Sequence, residues 1–313
     1  MPKVLLLESL HPAARAALDA SANVVALGAP DDPVDDAVLA EVEAIVTRGR
    51  GQVTEALLAR CPVLKVVTRA GVGLDNVDRA AAAARGVAVV HVPNALTETV
   101  SEHALALALA ARREVVSSAR SAREGRWEDR NQFGGESLAG SRVTVVGLGA
   151  IGERTRSLMV ALGAEVTAWN RSPRGVDGFE ADLDRALSGA EVVSLHVALG
   201  DETRGLMNTD RLALLAPGAV VVNTARPGVV ERNAMLSALE AEHVAVYAVD
   251  GFDPEPPPSD DPLLRHPGVI VTPHVAALTG RTYAALCASA VTGTLDVLVG
   301  RDPGGGARLA PRP

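Results

Sequence analysis

Lysine is almost missing from this chain. Of its 30 basic residues only Lys3 and Lys65 are lysines, so Schiff-base or general-base lysine chemistry has two candidates. Both lie in or beside short apolar runs. Aromatics are as scarce: two Trp, two Tyr and three Phe, too scattered for the stacking platform that single-stranded nucleic acid needs. Two cysteines, Cys61 and Cys287, cannot build a disulfide framework or a Cys-rich zinc site, and they fit a reducing, cytoplasmic setting. No stretch approaches ~18 uninterrupted apolar residues, and the four apolar residues after Lys3 are too few for a signal peptide. Positive charge is short as well. With a net charge of −8, a polyanion-binding surface is not expected, and neither a nucleic-acid nor a membrane partner is read. No metal site is read either.

What is present points to two α/β domains, at roughly 150 residues each. From residue 4 to 93, short β-branched runs (4–8, 23–27, 44–47, 64–68, 87–92) alternate with Ala/Leu-rich helical runs (12–20, 35–42, 54–60, 76–85). Such alternation predicts a parallel sheet covered on both faces. Thr99-Val-Ser-Glu102 has the form of a capping box, and the Ala/Leu run behind it predicts one connecting helix to about Arg123. A second alternation starts at Arg142, with strands at 142–146, 165–169, 191–197, 219–223, 244–249 and 269–272. Its helices are expected at 151–162, 182–187, 209–215 and 231–242, with a rigid Pro/Asp-rich loop over 253–262. A last helix over 282–298 would return to the first domain. The expected division is 1–95 plus 279–313 for a substrate domain and 96–278 for a dinucleotide-binding domain. The tail 301–313, with its Gly triplet, is expected to be mobile.

The strongest motif is Gly147-Leu-Gly149-Ala150-Ile151-Gly152, placed after a strand and opening a helix. That context is the dinucleotide fingerprint: Gly147 for the tight turn, Gly149 for close approach of a pyrophosphate, Gly152 for helix–strand packing. The next strand runs into Asn170, Arg171 and Ser172. Asn170 stands where an acidic residue would bond the ribose hydroxyl of NAD. Without that carboxylate, and with Arg171 and Arg174 at hand to pair with a 2′-phosphate, NADP is preferred over NAD. Three later strand ends carry Arg226, Glu255 and His274, where open α/β sheets bind their ligands.

With these residues in view, the chain resembles the D-isomer-specific 2-hydroxyacid dehydrogenases, which include phosphoglycerate dehydrogenase and the glyoxylate/hydroxypyruvate reductases. The resemblance covers nearly the whole sequence. It is most specific in the glycine motif, Ser194-Leu-His196, Asn223-Thr-Ala-Arg226, Asp250 with Glu255, and Thr272-Pro-His274. It implies two Rossmann-like, doubly wound parallel-sheet domains with a cleft between them, and a homodimer. In that resemblance His274 is the general acid/base, Glu255 holds it and favours its protonated form, and Arg226 binds the substrate carboxylate. Asp250 contacts the nicotinamide end, Val197 the adenine side, and Thr203, Thr224 and Ala225 line the cofactor. Arg69, Ala70, Gly71 and Val72 match the loop whose N–H groups cradle the substrate carboxylate. Arg48 and Arg50 fall where two arginines suit a phosphate.

Four residues depart from the family pattern: His91 for Asn, Leu96 for Asn, Ala198 for Pro and Pro227 for Gly. Leu96 disfavours formate. Pro227 fixes its own φ and removes a donor, which alters the surroundings of Arg226. The expected activity is an NAD(P)-dependent 2-hydroxyacid dehydrogenase acting as a reductase of small 2-oxoacids such as glyoxylate or hydroxypyruvate. A chain of this length without a further domain favours that reading over phosphoglycerate oxidation. A dinucleotide-sensing corepressor is the alternative of another class.

Overall fold

A computed structural model describes residues 1–310; the end of the tail, 311–313, lies outside them. The chain forms two compact units, Met1–Leu96 together with the chain from Leu278, and Thr97–Ala277. No helix among the described residues is long and apolar enough to cross a membrane.

The first unit alternates β1 (Lys3–Leu6), α1 (Pro12–Asp19), β2 (Asn23–Ala26), α2 (Asp36–Leu39), β3 (Val42–Thr47), α3 (Glu55–Ala59), β4 (Val66–Arg69), α4 (Arg79–Ala84) and β5 (Ala88–His91). These five strands are parallel, because each crossover carries its own helix. Both faces are covered, so β3 and β4 are buried along nearly their whole length without alternation. Helices begin where short polar side chains take up the free N–H groups: Asp35, Thr54 and Asp78 each accept from the first turn. The two lysines are both spent on surface ion pairs, Lys3 with Glu41 and Lys65 with Glu43.

The second unit opens with α5 (Thr97–Arg112) and α6 (Val115–Arg123), followed by a 3-10 helix over Trp127–Gln132. The single connecting helix of the sequence reading is therefore two. Glu114 between them is left-handed, with φ of 47°. The buried face of α5 ends at Ala111 and α6 buries nothing, so no packing carries one axis through. The helix also starts two residues before Thr99, which leaves the expected capping box inside it; Ser101 instead donates to Ile151 O.

Beyond this lie β6 (Arg142–Val146), α7 (Ala150–Ala161), β7 (Glu165–Trp169), α8 (Leu183–Leu187), β8 (Val192–Leu195), α9 (Thr209–Ala213), β9 (Ala219–Asn223), α10 (Arg232–Glu240), β10 (Val244–Asp250), α11 (Pro262–Arg265) and β11 (Val269–Thr272). The sheet order is β11-β10-β9-β8-β6-β7, all parallel. The order reverses around β6, the switch point at which such sheets bind ligands.

The chain then returns to the first unit. Helix α12 (Gly280–Leu298) packs on α1, β3, β4 and β5, and β12 (Arg308–Leu309) pairs antiparallel with β5. The tail expected to be mobile is thus docked as far as it is described. Ala307 is wholly buried, and Gly293 of α12 makes room for it: a Cβ there would stand 2.6 Å from the Ala307 methyl.

Candidate active site

The turn between β6 and α7 uses its three glycines in three ways. Gly147 is left-handed at φ 100°, and a Cβ on it would meet the His196 backbone at 2.8 Å. Gly152 lies under it, where a Cβ would stand 1.8 Å from Gly147 O. Gly149 faces open space, and with exposed Ala150 and half-buried Ile151 it forms the N-terminus of a twelve-residue helix. Free N–H groups at a helix start with no side chain in the way form a ready anion site. His196 backs the turn: Ser194 Oγ and His196 Nε2 are 2.8 Å apart, and burial pushes the imidazole down to about 4, so it is neutral.

Asn170 accepts from Leu148 N (3.1 Å) and donates to Ser172 O (2.9 Å), tying the glycine turn to the loop after β7. Arg171 is exposed and paired with exposed Glu202. Val197 packs half-buried on the core. Thr203 spends its hydroxyl within its own loop, donating to Ala198 O (2.6 Å) and accepting from Gly200 N (2.8 Å).

At the C-terminal ends of three neighbouring strands stand the ionisable residues. Asn223 ends β9 wholly buried, accepting from Ala225 N (3.0 Å) and donating to Arg226 O (3.0 Å) and the Tyr247 hydroxyl (3.1 Å). It therefore fixes the turn that presents Arg226. Pro227 opens a 3-10 turn over Pro227–Val229, a first position at which no N–H donor is needed. Thr224 Oγ1 is shielded from solvent with no partner among the described residues, a buried hydroxyl that a bound dinucleotide can satisfy.

Asp250 ends β10 buried. It accepts from Thr272 Oγ1 (2.6 Å), Val275 N (2.8 Å) and Ala276 N (2.8 Å), and so grips the loop after β11 next to His274. His103 Nε2 on α5 adds a 3.0 Å bond to Thr272 Oγ1. His274 itself is left-handed (φ 56°), and its Nδ1 lies 3.1 Å from both oxygens of Glu255. Phe252 N anchors Glu255 Oε1 at 2.9 Å. Gly251 permits this approach, since a Cβ there would stand 2.7 Å from Glu255 Oε1.

In the first unit, Arg69 ends β4 buried with its guanidinium laid over Gly71, where a Cβ would collide at 1.5 Å. Ala70 N is bonded to Thr47 O (2.8 Å) and Gly71 N to Arg69 O (2.9 Å), so these two donors of the expected cradle serve the loop itself. His91 Nδ1 braces Val72 O at 3.0 Å. Arg48 lies over the Tyr283 ring, 4.7 Å from its centroid. Glu8, which the sequence reading passed over, sits beneath Arg48 with its carboxylate buried. The only signal it gave was a charge closing an apolar strand.

A parallel sheet with a glycine turn at its switch point and Arg, Glu and His at neighbouring strand ends defines a dinucleotide-binding α/β domain. Residues 105–276 match the family model for the D-isomer specific 2-hydroxyacid dehydrogenase, NAD binding domain. D-3-phosphoglycerate dehydrogenase of Mycobacterium tuberculosis is 40% identical over 284 residues, 89% of this chain and 53% of that protein. The chain thus spans about half the length of the curated relatives it matches. Among solved structures, the NADPH-dependent glyoxylate/hydroxypyruvate reductase of Sinorhizobium meliloti, in complex with NADP and malonate, superposes with a TM-score of 0.89 at 28% identity. That match covers 96% of this chain and 95% of the reductase. The 2-hydroxyacid dehydrogenase of Ketogulonicigenium vulgare gives 0.85 at 26% identity, over 97% of each chain. This chain belongs to the D-isomer specific 2-hydroxyacid dehydrogenase family.

Proposed function

We propose that the protein is a cytoplasmic, NAD(P)-dependent 2-hydroxyacid dehydrogenase working mainly as a reductase of small 2-oxoacids such as glyoxylate or hydroxypyruvate. The observation that carries this reading is the His274–Glu255 pair. With Nδ1 held by the carboxylate, Nε2 is the atom left to give a proton to the reacting oxygen or take one from it. Arg226, on the turn fixed by Asn223, binds the substrate carboxylate through its planar fork. The bound dinucleotide supplies or accepts the hydride. Glu255 orients the imidazole, and Asp250 holds the loop that carries it.

NADPH is the preferred reductant in this reading. No carboxylate follows β7 to repel a 2′-phosphate, and Arg171 is bound only by an exposed ion pair, an interaction worth at most about 1 kcal/mol that a phosphate can replace. We place the active form as a homodimer, whose contact is the exposed apolar stretch of α6 and the 3-10 helix. A second reading, oxidation of phosphoglycerate, is favoured by Arg48 and Arg50 in the first unit and by the D-3-phosphoglycerate dehydrogenases among the relatives.

One experiment separates these readings: following 340 nm absorbance with glyoxylate, hydroxypyruvate, phosphohydroxypyruvate and pyruvate, each with NADPH and NADH. Turnover of the unphosphorylated acids with higher kcat/KM for NADPH is expected. His274→Gln should lose most of kcat while dinucleotide Kd persists; near-normal turnover in that variant removes the assignment. Tight dinucleotide binding with no oxidation by any acid would instead mark a dinucleotide-sensing protein.

A further inference from the structure

Val4, Leu5, Leu6 and Leu7 are buried, and Glu8 follows at only 8% exposure. A carboxylate left there without partners would be strongly disfavoured. Its Oε2 is met by the N–H groups of four successive residues: Arg48 (2.8 Å), Gly49 (2.9 Å), Arg50 (3.1 Å) and Gly51 (3.0 Å). Burial works to raise the Glu8 pKa, but these four donors together outweigh it and hold the carboxyl below its usual value. The turn is built for this. A Cβ on Gly51 would stand 2.7 Å from Thr47 Oγ1 and 2.8 Å from Leu7 Cβ, so only glycine closes it so tightly.

Successive N–H groups converging on one point form a nest, a backbone shape that binds oxyanions. Here the protein fills the nest with its own anion, so the backbone of 48–51 has no donor left for a ligand. What the loop still offers is its side chains. Arg50 is exposed, with Nε 3.9 Å from the second Glu8 oxygen. Arg48 lies over the Tyr283 ring, and its Nη1 reaches both the Tyr283 hydroxyl and Ser9 O at 3.4 Å. Tyr283 in turn donates to Ser9 O at 3.2 Å. One of only seven aromatic side chains in the protein is therefore used to hold this guanidinium in one orientation.

We propose that Glu8 and Tyr283 are positioning residues for Arg48. Glu8 fixes its backbone and Tyr283 fixes its guanidinium, so that the loop presents a cation rather than N–H groups to a second anionic group on the substrate. This rests on the reading of Arg48 as a substrate contact. Hydroxypyruvate and its 3-phosphate ester test it, because they differ only in that second anion. Their KM values are compared in the wild type, Arg48→Ala, Glu8→Gln and Tyr283→Leu, with dinucleotide Kd as the control for folding.

In Glu8→Gln an amide replaces the anion that four donors require. KM for the phosphate ester should rise about tenfold relative to that for hydroxypyruvate, with kcat for the ester changed less than about twofold. Tyr283→Leu, at a half-buried site, should shift the same ratio by about threefold. It decides alone if Glu8→Gln does not fold. If Arg48→Ala changes the ratio and neither other variant does, the positioning role is overturned and the contact stands. If Arg48→Ala leaves the ratio unchanged, the contact itself is wrong and both fall; a wild type that reduces hydroxypyruvate but not its phosphate ester has the same consequence, whereas one that reduces neither acid removes the proposed function itself. Equal losses of kcat with both acids would mean a merely structural role for Glu8 and would overturn the proposal.

Discussion

Gly251 shows how far one missing methyl group governs the candidate site. Its φ of 108° is outside the range an L side chain adopts, and the space its Cβ would fill is taken by Glu255 Oε1. Gly251→Ala therefore adds strain of about 1–3 kcal/mol and pushes the carboxylate off His274 Nδ1. We expect kcat to fall about a hundredfold with little change in dinucleotide Kd, since the glycine turn lies on another strand end. Unchanged kcat would mean that the Glu255–His274 contact does not limit the reaction. The same scale explains Pro227. Read from sequence it threatened the setting of Arg226, yet it occupies the first position of a 3-10 turn, and Asn223 supplies the bond to Arg226 O.

At the scale of elements, β8 supports the crossover from β6 to α7 through His196, and this support titrates. Burial holds the folded imidazole at about 4 against an ordinary 6.5. Above pH 6.5 neither the folded nor the unfolded chain binds the proton. Between 6.5 and about 4 only the unfolded chain does, so stability falls as pH falls through that window, by up to about 3 kcal/mol. The carboxyls held low, Glu8 and Asp261 among them, add their losses as pH falls into the ordinary carboxylate range and below it, at the acid end of this window. Urea denaturation of wild type and His196→Gln across pH 4.5–7 checks this; parallel slopes would show that another group carries the effect.

Elements with their own period were legible in advance. The β-branched runs of β6, β7, β9 and β11 end where the structure ends them, and the glycine motif announced the turn between β6 and α7. What could not be read depends on partners far along the chain. The break at Glu114 follows from what α5 buries and α6 does not. Strand β12 is two residues that acquire a register only against β5. Glu8 looks like an ordinary surface charge until the turn at 48–51 closes over it.

At the scale of the whole molecule, one surface is at odds with an acidic chain that has few aromatics to expose. Helix α6 buries none of its residues, and Val115, Val116, Phe133 and Trp127 stand exposed along it and the adjoining 3-10 helix, Trp127 at 67%. α6 and the 3-10 helix pack on each other, and Arg113, just before α6, lies over the Phe133 ring, so the elements that carry these side chains are neighbours. Large apolar side chains grouped in this way mark an interaction site. A Trp at the centre of a two-fold contact is a typical hot spot, whose loss costs about 2 kcal/mol or more. Self-association through this face predicts twice the chain mass by light scattering for the wild type. Trp127→Glu, which places a charge against its own symmetry mate, should run at the mass of one chain. Because Trp127 lies far along the chain from the strand ends that carry Arg226, Glu255 and His274, its variant should keep dinucleotide binding. A wild-type protein that is monomeric at micromolar concentration would leave this face to a different partner.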